Sequence, residues 1–289
     1  MRRLSWEKYV LVAPFFALFF GLIGYPLYVA FTLTFYEKTI GLPPVFVGLD
    51  NYTELLGDPL FHRALVNTLV YTGGSVAGKL VLGLAMALAL NEAFRGRSLV
   101  RGLLMLPWIV PIFVSAHNWR WIYDGTLGVL NLFLLQVGLL REPVAWLGNL
   151  HTVMPCVIIA NIWRGFPFFG ISLLAALQVI PREPYEAADV DGASSVQRFL
   201  AVTLPHLRMV LLVVVILSTI WTFNDFPLLW ILTAGGPAGV TETLPLLGYK
   251  LAFISALISK GVAVAMCMLP FLGVLIYLLT RQLRRPGRD

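Results

Sequence analysis

Six long apolar stretches dominate this chain of 289 residues and limit what it can fold into. They cover approximately residues 9–35, 65–91, 102–123, 151–177, 208–233 and 258–280. Each is long enough to cross a bilayer as an α-helix, which takes about 20 mostly apolar residues. Only 12% of the residues are charged, whereas a soluble domain usually has about 25%. The pattern therefore predicts an all-α polytopic membrane protein, with residues 1–289 forming a single transmembrane domain of six helices.

Two shorter apolar pieces, residues 126–140 and 243–257, contain Gly, Pro or Lys and do not reach spanning length. They are predicted to be interfacial or re-entrant helices. The first long stretch exceeds the apolar core of a signal peptide and lacks a convincing small-residue cleavage site, so it is expected to be a retained span.

Basic residues around the stretches predict the orientation, because cytoplasmic loops are enriched in Lys and Arg. One side of the membrane collects most of them: Arg2, Arg3, Lys8, Arg95, Arg97, Arg101, Arg182, Arg198, Arg208, Arg281, Arg284, Arg285 and Arg288. The other side has fewer: Lys38, Arg63, Arg120, Arg141, Lys250 and Lys260. Both termini are therefore predicted to be cytoplasmic, with the chain in the cell (inner) membrane. The net charge of +6 reflects this topology, and nucleic acid is not expected as a partner.

Residues typical of metal or redox sites lack the spacing that such sites need. Cys156 and Cys267 lie far apart inside apolar runs, which supports neither a disulfide nor a metal site. The histidines are scattered without metal-ligand spacing: His62, His117, His151 and His206. No nucleophile–base arrangement is visible, so the chain is not expected to be an enzyme.

The stretch "GGSVAGKL" at residues 73–80 has the spacing of a phosphate-binding loop, in which Ser or Thr must follow the lysine to hold Mg²⁺. Leu80 stands in that place, and the flanking sequence is that of a membrane span. The small residues are predicted to allow close helix–helix contact instead: Gly73, Gly74, Ala77 and Gly78. Lys79 is left with three interpretations: it reaches a polar cavity, a partner carboxylate or the membrane interface.

A polar segment at residues 179–207, "VIPREPYEAADVDGASSVQRFLAVTLPHL", interrupts the apolar pattern. Pro184 suits the first turn of a helix, and acidic residues follow near its positive end. Gly192 permits a left-handed break, after which a second short amphipathic helix is predicted to run until Pro205 stops it near the membrane. Its apolar side is predicted to include Val196, Phe199, Leu200 and Val202. The segment is either a two-helix knob or a loop on lipid headgroups; its acidic residues disfavour the loop, because anionic headgroups repel them.

Part of this segment, "EAADVDGASSVQRFLAVTLP" at residues 186–205, resembles the EAA signature of ABC importer permeases. Four more stretches resemble the sugar-permease branch, in particular the first permease subunit of the maltose and glycerol-phosphate type: "VGLDNYTELLGDP" (47–59), "NTLVYT" (67–72), "NIWRGFPFFGISLLAALQVIPREPYEAA" (161–188) and "FNDFPLLWILTAGGP" (223–237). The resemblance implies a type I ABC importer permease core, in which six transmembrane helices carry a cytoplasmic coupling-helix loop.

The resemblance also implies partners and coupling residues. The knob would sit in a groove of a separate cytoplasmic ABC ATPase dimer, which binds ATP-Mg, so that this chain itself needs no cofactor. The other implied partners are a second homologous permease subunit, an extracytoplasmic sugar-binding protein, a small-molecule carbohydrate and membrane lipid. Glu186 would accept a salt bridge from the ATPase, and Gly192 would form the elbow of the knob. The implied coupling residues are Glu186, Ala187, Ala188, Asp191, Gly192, Phe199, Leu204 and Pro205.

Two predicted helical faces combine hydrogen-bonding groups with an aromatic ring, at i, i+3, i+4 and i+7. The fourth stretch supplies Asn161, Arg164, Gly165 and Phe168, and the fifth supplies Ser218, Trp221, Thr222 and Asp225. Ionisable groups inside a span cost about 2.5–3.5 kcal/mol even on insertion scales and indicate a polar cavity. Both faces suit a sugar, but they equally suit helix packing in which Arg164 pairs with Asp225. The resemblance favours substrate contact, because these positions match cavity-lining positions of the family.

The segment "LTAGGPAGVTET" at residues 232–243 resembles the periplasmic loop by which the family approaches its binding protein and substrate. Gly235, Gly236 and Pro237 are predicted first as turn-formers and only second as ligand contacts. The chain is thus predicted to be the permease subunit of an ATP-driven carbohydrate importer. The alternative is an ion-coupled secondary transporter, which would be expected to show internal repeats and several intramembrane carboxylates.

Overall fold

The computed structural model describes residues 6–39 and 41–283, most of which are helical. The α-helices are α1 Trp6–Phe19, α2 Tyr25–Leu33, α3 Asp50–Gly57, α4 Pro59–Asn91, α5 Arg97–Ile109, α6 Ile112–Ile122, α7 Val129–Gln136, α8 Val153–Leu177, α9 Glu183–Val190, α10 Ser195–Arg198, α11 Leu204–Phe223, α12 Pro227–Leu232, α13 Leu244–Tyr249 and α14 Ile258–Leu283. Three π-helical turns extend or join them: Phe20–Gly24, Phe199–Thr203 and Lys250–Ile254. The short strands β1 Tyr36–Glu37 and β2 Val45–Phe46 pair antiparallel.

Five helical segments in the described residues are long and apolar enough to cross a membrane: Tyr9–Leu33, Pro59–Asn91, Val153–Leu177, Ser195–Phe223 and Ile258–Gln282. The pair α5 and α6 makes a sixth span if its two parts count as one. The predicted all-α polytopic architecture is thereby confirmed. Five of the basic residues that predicted the orientation lie outside the described residues: Arg2, Arg3, Arg284, Arg285 and Arg288.

The third apolar stretch, residues 102–123, was predicted to be one spanning helix, but in the structure it is broken into two. α5 and α6 form an angle of 93° across a break at Val110 and Pro111. A proline has no N–H to donate, and its ring disfavours helical backbone at the preceding residue. Val110 is accordingly extended, with φ −62° and ψ 129°. Pro107 lies inside α5, so the bend comes from Pro111.

The fifth apolar stretch, residues 208–233, is also interrupted. α11 ends at Phe223, and α12 starts at Pro227, where the missing N–H of a proline costs nothing in the first turn. At its other end α11 continues backwards through a π-helical turn into α10, so that Ser195–Phe223 form one helix of 29 residues. The prediction that Pro205 stops the second short helix is therefore wrong.

The π-helical turn Phe199–Thr203 explains how the helix passes Pro205. The N–H of Leu204 donates to the carbonyl of Phe199, five residues earlier. This wider turn ends two residues before Pro205, in the region where a regular α-helix would clash with the proline ring and lose a hydrogen bond.

The described chain divides into two compact units. The first comprises residues up to His62 together with Leu247–Pro270. Within it, the Asn51 amide donates to the carbonyl of Thr34 at 2.8 Å, and Lys260 pairs with Glu54 at 2.6 Å. The side chains of the span Tyr9–Leu33 are largely exposed, as expected for a helix that faces lipid.

The second unit comprises Arg63–Leu246 and the residues from Phe271 on. One of its apolar clusters joins Val157 of α8 to Tyr71 of α4 and Leu228 of α12. Another joins Leu173 of α8 to Leu207 of α11. α8 therefore contributes to both clusters and connects the helices of this unit.

Glycines allow α4 and α8 to approach closely. A Cβ at Gly78 would overlap the side chain of Ile162, and one at Gly74 would lie 3.0 Å from Ile158. The predicted helix–helix contact is thus confirmed for these two glycines. It is wrong for Gly73, whose Cβ would have nothing within 4 Å, and Ala77 is likewise exposed. Gly74 and Gly78, four residues apart, share the face towards α8, whereas Gly73 and Ala77 lie on another face of α4.

Polar groups hold the loop after α12 in place. The Thr241 hydroxyl donates to the carbonyl of Gly236 at 2.8 Å. The Asn67 amide on α4 donates to the carbonyls of Gly239 and Glu242, each at 2.9 Å. Gly235 has a φ of +87°, which confirms its predicted role in a turn.

We expect Gly83→Ala to destabilise the contact between α4 and α8. The new Cβ would overlap Phe169 and lie 3.0 Å from the backbone of Gly170, and such overpacking typically costs about 1–3 kcal/mol. Thermal unfolding of the purified protein, followed by tryptophan fluorescence, should show a midpoint lowered by several degrees. Gly73→Ala is the matched control on the same helix, and it should leave the midpoint unchanged or raise it. Equal midpoints for both variants would contradict the close approach.

Candidate functional site: a polar cavity and a two-helix knob

All eight residues predicted to contact substrate line one cavity of about 370 Å³ in the second unit. They are Asn161, Arg164, Gly165 and Phe168 on α8, and Ser218, Trp221, Thr222 and Asp225 on α11 and the turn after it. α11 ends at Phe223, so Asp225 follows the helix instead of lying on its face, yet it still reaches the cavity. The volume falls in the range of small-molecule pockets, about 300–1,000 Å³.

Further residues complete the lining, and the two predicted faces did not include them: Lys79, Trp108, Ile112, Asn224 and Pro227. The sequence allowed Lys79 to reach a polar cavity, a partner carboxylate or the membrane interface, and the structure places it in the lining of the cavity. Trp108 lies two residues before the break that bends α5 away from α6. The only sequence signal for Trp108 is its place between two prolines.

Three aromatic side chains from different helices form one wall of the cavity. The rings of Trp108 and Phe168 are stacked, with centroids 5.3 Å apart and an interplanar angle of 19°. Trp221 packs against both, at 5.1 Å from Phe168 and 6.0 Å from Trp108. Trp221 remains 49% exposed, so the wall offers a ligand a flat apolar surface.

Asp225 is held by neutral donors and forms no ion pair among the described residues. Its Oδ2 accepts a hydrogen bond from the Tyr71 hydroxyl at 2.7 Å and another from the Asn161 amide at 2.8 Å. Its Oδ1 accepts weakly from the backbone N–H of Leu228 at 3.4 Å. The alternative in which Asp225 pairs with Arg164 is therefore wrong. The carboxylate instead joins α4, α8 and α12.

Lys79 reaches the cavity from α4. It is buried, and its Nζ donates to the Thr222 hydroxyl oxygen at 2.9 Å. A Cβ at Gly165 would lie 2.8 Å from its Cδ and 3.1 Å from its Nζ. Gly165 therefore leaves the space in which the Lys79 side chain lies against α8.

The Arg164 guanidinium has no hydrogen-bond acceptor among the described residues. It lies 6.0 Å from the centroid of the Trp108 ring, at the outer limit of a cation–π contact. Its Nε is buried and unpartnered, as is Oδ1 of Asn161. The cavity thus contains unused donors and an unused acceptor beside an aromatic wall.

The second candidate site is the knob, defined as residues 183–203. α9 and α10 are separated by Gly192 with a φ of +73°, which confirms the first predicted short helix and the glycine break, whereas α10 is the start of the long helix Ser195–Phe223. Ser194 and Gln197 form a reciprocal capping box at the start of α10. The two helices are tied by an ion pair between Arg198 and Asp189 at 2.6 Å and by the hydroxyls of Tyr185 and Thr203 at 3.0 Å.

The coupling residues lie on both sides of the elbow. The exposed ones are Glu186, Ala187, Asp191, Gly192 and Pro205, whereas Ala188, Phe199 and Leu204 are half-buried. The predicted apolar side of the second helix is only partly covered by this chain. Val202 is buried, but Val196 and Leu200 are 67% and 55% exposed.

A multi-pass helical protein with a polar cavity among its spans and an exposed helical knob has the architecture of a membrane transport subunit. Residues 79–286 match the family model of the binding-protein-dependent transport system inner membrane component. The chain belongs to that family and is a multi-pass component of the inner membrane.

Curated relatives match most of the chain. The trehalose/maltose transport system permease protein MalF of Thermococcus litoralis is 35% identical over 282 residues, covering 96% of this chain and 94% of that protein. The sulfoquinovosyl glycerol transport system permease protein SmoG of Agrobacterium fabrum is 32% identical over 273 residues, covering 93% and 88%. Both are permease proteins of named sugar transport systems.

Among solved structures, the fold is similar to a chain of a bacterial ABC transporter involved in the import of the acidic polysaccharide alginate. The TM-score is 0.83, with 98% of this chain and 97% of that chain covered. At 24% sequence identity, this likeness shows the fold alone, which is that of a type I importer permease.

We expect Asp225→Leu to destabilise the second unit, because it leaves the Tyr71 hydroxyl and the Asn161 amide without an acceptor. A buried polar group that loses its partner typically costs about 1–3 kcal/mol. Asp225→Asn, whose amide oxygen still accepts, is the matched control. Thermal unfolding in detergent should give a clearly lower midpoint for the leucine variant than for the asparagine variant. Identical midpoints would show that the carboxylate does not join the helices.

Proposed function

We propose that this chain is the permease subunit of an ATP-driven, binding-protein-dependent importer for a carbohydrate, and that it lines half of the translocation path. The observation that carries the proposal is the cavity in which the eight predicted residues meet. Membership of the family of transport-system inner membrane components supports the transport class. The names of the relatives, which cite trehalose, maltose and sulfoquinovosyl glycerol, support a carbohydrate as the substrate class.

The chemistry of the cavity supports this substrate class independently. A sugar ring presents hydroxyl groups at its rim and C–H groups on its faces. The wall of Trp108, Phe168 and Trp221 provides a flat apolar surface for such a face. Asn161 and Arg164 line the cavity, and Oδ1 of Asn161 and Nε of Arg164 are buried without a hydrogen-bond partner, so small side-chain movements would let them bond to hydroxyl groups. The residues proposed to contact substrate are therefore the eight predicted ones together with Trp108.

We further propose that the knob transmits the movement of a separate cytoplasmic ABC ATPase dimer. Ser195–Phe223 form one continuous helix, which starts in the knob and carries Ser218, Trp221 and Thr222 at the cavity. A push on α10 therefore acts on cavity residues without an intervening loop. Exposed Glu186 is available to a cation on the ATPase, and the exposed Val196 and Leu200 provide apolar contact area.

The same proposal assigns the partners and the orientation. A second homologous permease subunit would complete the path, and an extracytoplasmic sugar-binding protein would deliver the carbohydrate. ATP-Mg would bind only to the ATPase, because "GGSVAGKL" lies in the middle of α4 and Leu80 offers no ligand to Mg²⁺. The chain itself would use no cofactor and catalyse no reaction. Both termini and the knob would face the cytoplasm, in line with the distribution of basic residues.

Uptake by the reconstituted importer tests the proposed function. Proteoliposomes would contain this chain, the second permease subunit and the ATPase, with the binding protein outside and ATP-Mg inside. We expect accumulation of labelled carbohydrate that continues after ionophores collapse the ion gradients and stops without ATP. The alternative, an ion-coupled secondary transporter, predicts loss of uptake with the ionophores and no need for the ATPase, and that result would contradict the proposal.

We expect Gly192→Val to uncouple the knob. A left-handed conformation costs a residue with a side chain about 1–2 kcal/mol, and a β-branched residue fits it worst, so the elbow between α9 and α10 should change its geometry. ATP-driven uptake should fall by about five- to thirtyfold, since a 1.4 kcal/mol change corresponds to a factor of ten.

Gly138→Val is the matched control for this variant. Gly138 has a φ of +74°, close to the +73° of Gly192, but it lies outside the knob. It should cause the same local strain and leave uptake per inserted molecule near wild type. Equal loss of uptake in both variants would trace the effect to general instability and contradict the proposed role of the elbow.

A further inference from the structure

The cavity contains more cationic than anionic side chains. Its ionisable lining residues are Lys79 from α4, Arg164 from α8 and Asp225 after α11. The residues that α5 and α6 contribute, Trp108 and Ile112, carry no charge. Tyr71, which touches Asp225, is a neutral donor. With both basic groups protonated, the cavity wall of this chain has an excess of one positive charge.

Asp225 does not use its hydrogen-bonding capacity on these cations. The Tyr71 hydroxyl and the Asn161 amide both donate to Oδ2, and the only donor to Oδ1 in the described residues is the backbone N–H of Leu228. The carboxylate is thus directed towards the helix junction. The negative charge of Asp225 lowers the electrostatic free energy of holding Lys79 and Arg164 in the same cavity. Because Asp225 accepts no hydrogen bond from either residue, their N–H donors stay free for a ligand.

The cations retain most of their donors. A lysine ammonium has three, and Lys79 donates one to the Thr222 hydroxyl. An arginine has five N–H groups, and no acceptor for Arg164 is found among the described residues, although its Nε is buried. Arg164 is half-buried, and its Nε is a buried cationic donor without an acceptor, which is costly. An anionic group in the cavity would remove that cost.

The chemistry of the donors indicates which kind of anion fits. A guanidinium binds a planar or tetrahedral oxyanion through two parallel hydrogen bonds, and an ammonium adds a compact point charge. A single negative charge would balance the excess of one positive charge. The aromatic wall of Trp108, Phe168 and Trp221 lies beside Arg164, so a ring that carries the anion can stack there at the same time.

We propose that the cavity selects carbohydrates that carry one acidic group, a carboxylate or a sulfonate, and that Lys79 and Arg164 bind this group. The inference rests on the proposed function, because it specifies the substrate class of the same cavity. Gly165 has a positioning role in it, since a side chain at this position would displace Lys79.

Isothermal titration calorimetry on the purified complex of both permease subunits and the ATPase, without the binding protein, tests the inference. The probes are an aldobiouronic acid, which has one carboxylate on two sugar rings, and its methyl ester, which has nearly the same shape and no charge. A hydrogen bond to a charged group contributes about 1.5–3 kcal/mol. We therefore expect the acid to bind the wild type at least about tenfold more tightly than the ester.

Two variants remove the cations one at a time. Lys79→Gln and Arg164→Gln should each reduce the preference for the acid to within about threefold, since each loses a charge-assisted contact. Arg141→Gln is the control, because Arg141 is exposed and lies outside the cavity lining. It should retain the full preference of the wild type.

The outcomes separate the inference from the proposed function. If the wild type binds acid and ester equally, and Trp221→Ala abolishes both, the cavity takes neutral carbohydrates and the inference is overturned while the function stands. If the preference for the acid survives in both Gln variants, other residues bind the anion and the inference is overturned as well. If the wild type binds neither these probes nor neutral disaccharides, the carbohydrate cavity itself is refuted.

Discussion

The close approach of α4 to α8 is the contact on which the site depends. Gly78 and Gly83 on α4 lie against Ile162 and Phe169 on α8, in places where a Cβ would overlap the facing side chain. Gly165 makes the corresponding space for Lys79. With bulkier residues the two helices would separate, because packed interiors do not absorb extra volume without strain. The Tyr71 hydroxyl on α4 would then no longer reach Asp225, and Lys79 would lose Thr222.

The continuous helix from Ser195 to Phe223 links the two functional parts of the chain. One end belongs to the knob, which an ion pair and a capping box hold together. The other end carries Trp221 and Thr222 at the cavity. A π-helical turn accommodates Pro205 between them. A break at this proline would let the knob move without moving the cavity residues. The uninterrupted helix is therefore what allows a movement of the knob to reach the cavity in the proposed coupling.

Much of this architecture could be predicted from the sequence, because apolar length and helical periodicity are local properties. The five long spans and the apolar character of the bent pair were foreseeable from the apolar stretches, but the bend itself was not. The faces of Asn161 and Trp221 followed from a spacing of three to four residues. What the sequence could not give was which proline breaks a helix. Pro107 is tolerated inside α5, and Pro111 bends the chain by 93°.

The features that the sequence left open have the same origin in tertiary structure. Trp108 and Lys79 reach the cavity from helices whose approach to α8 depends on packing between distant segments. The hydrogen bonds that take Asp225 away from Arg164 come from Tyr71 and Asn161 on two different helices. Val196 and Leu200 are exposed because no residue that the structure describes covers them, and helical periodicity predicts only the face on which they lie.

The central claim is that ATP bound to another subunit changes the side from which this cavity opens. Labelling of Ser218→Cys, in a background without Cys156 and Cys267, measures this directly, because Ser218 lines the cavity and is buried. A membrane-impermeant maleimide would be applied to the reconstituted complex from either side, with and without trapped ATP. The account predicts that the side of labelling reverses when ATP binds. Labelling from the same side in both states would contradict it.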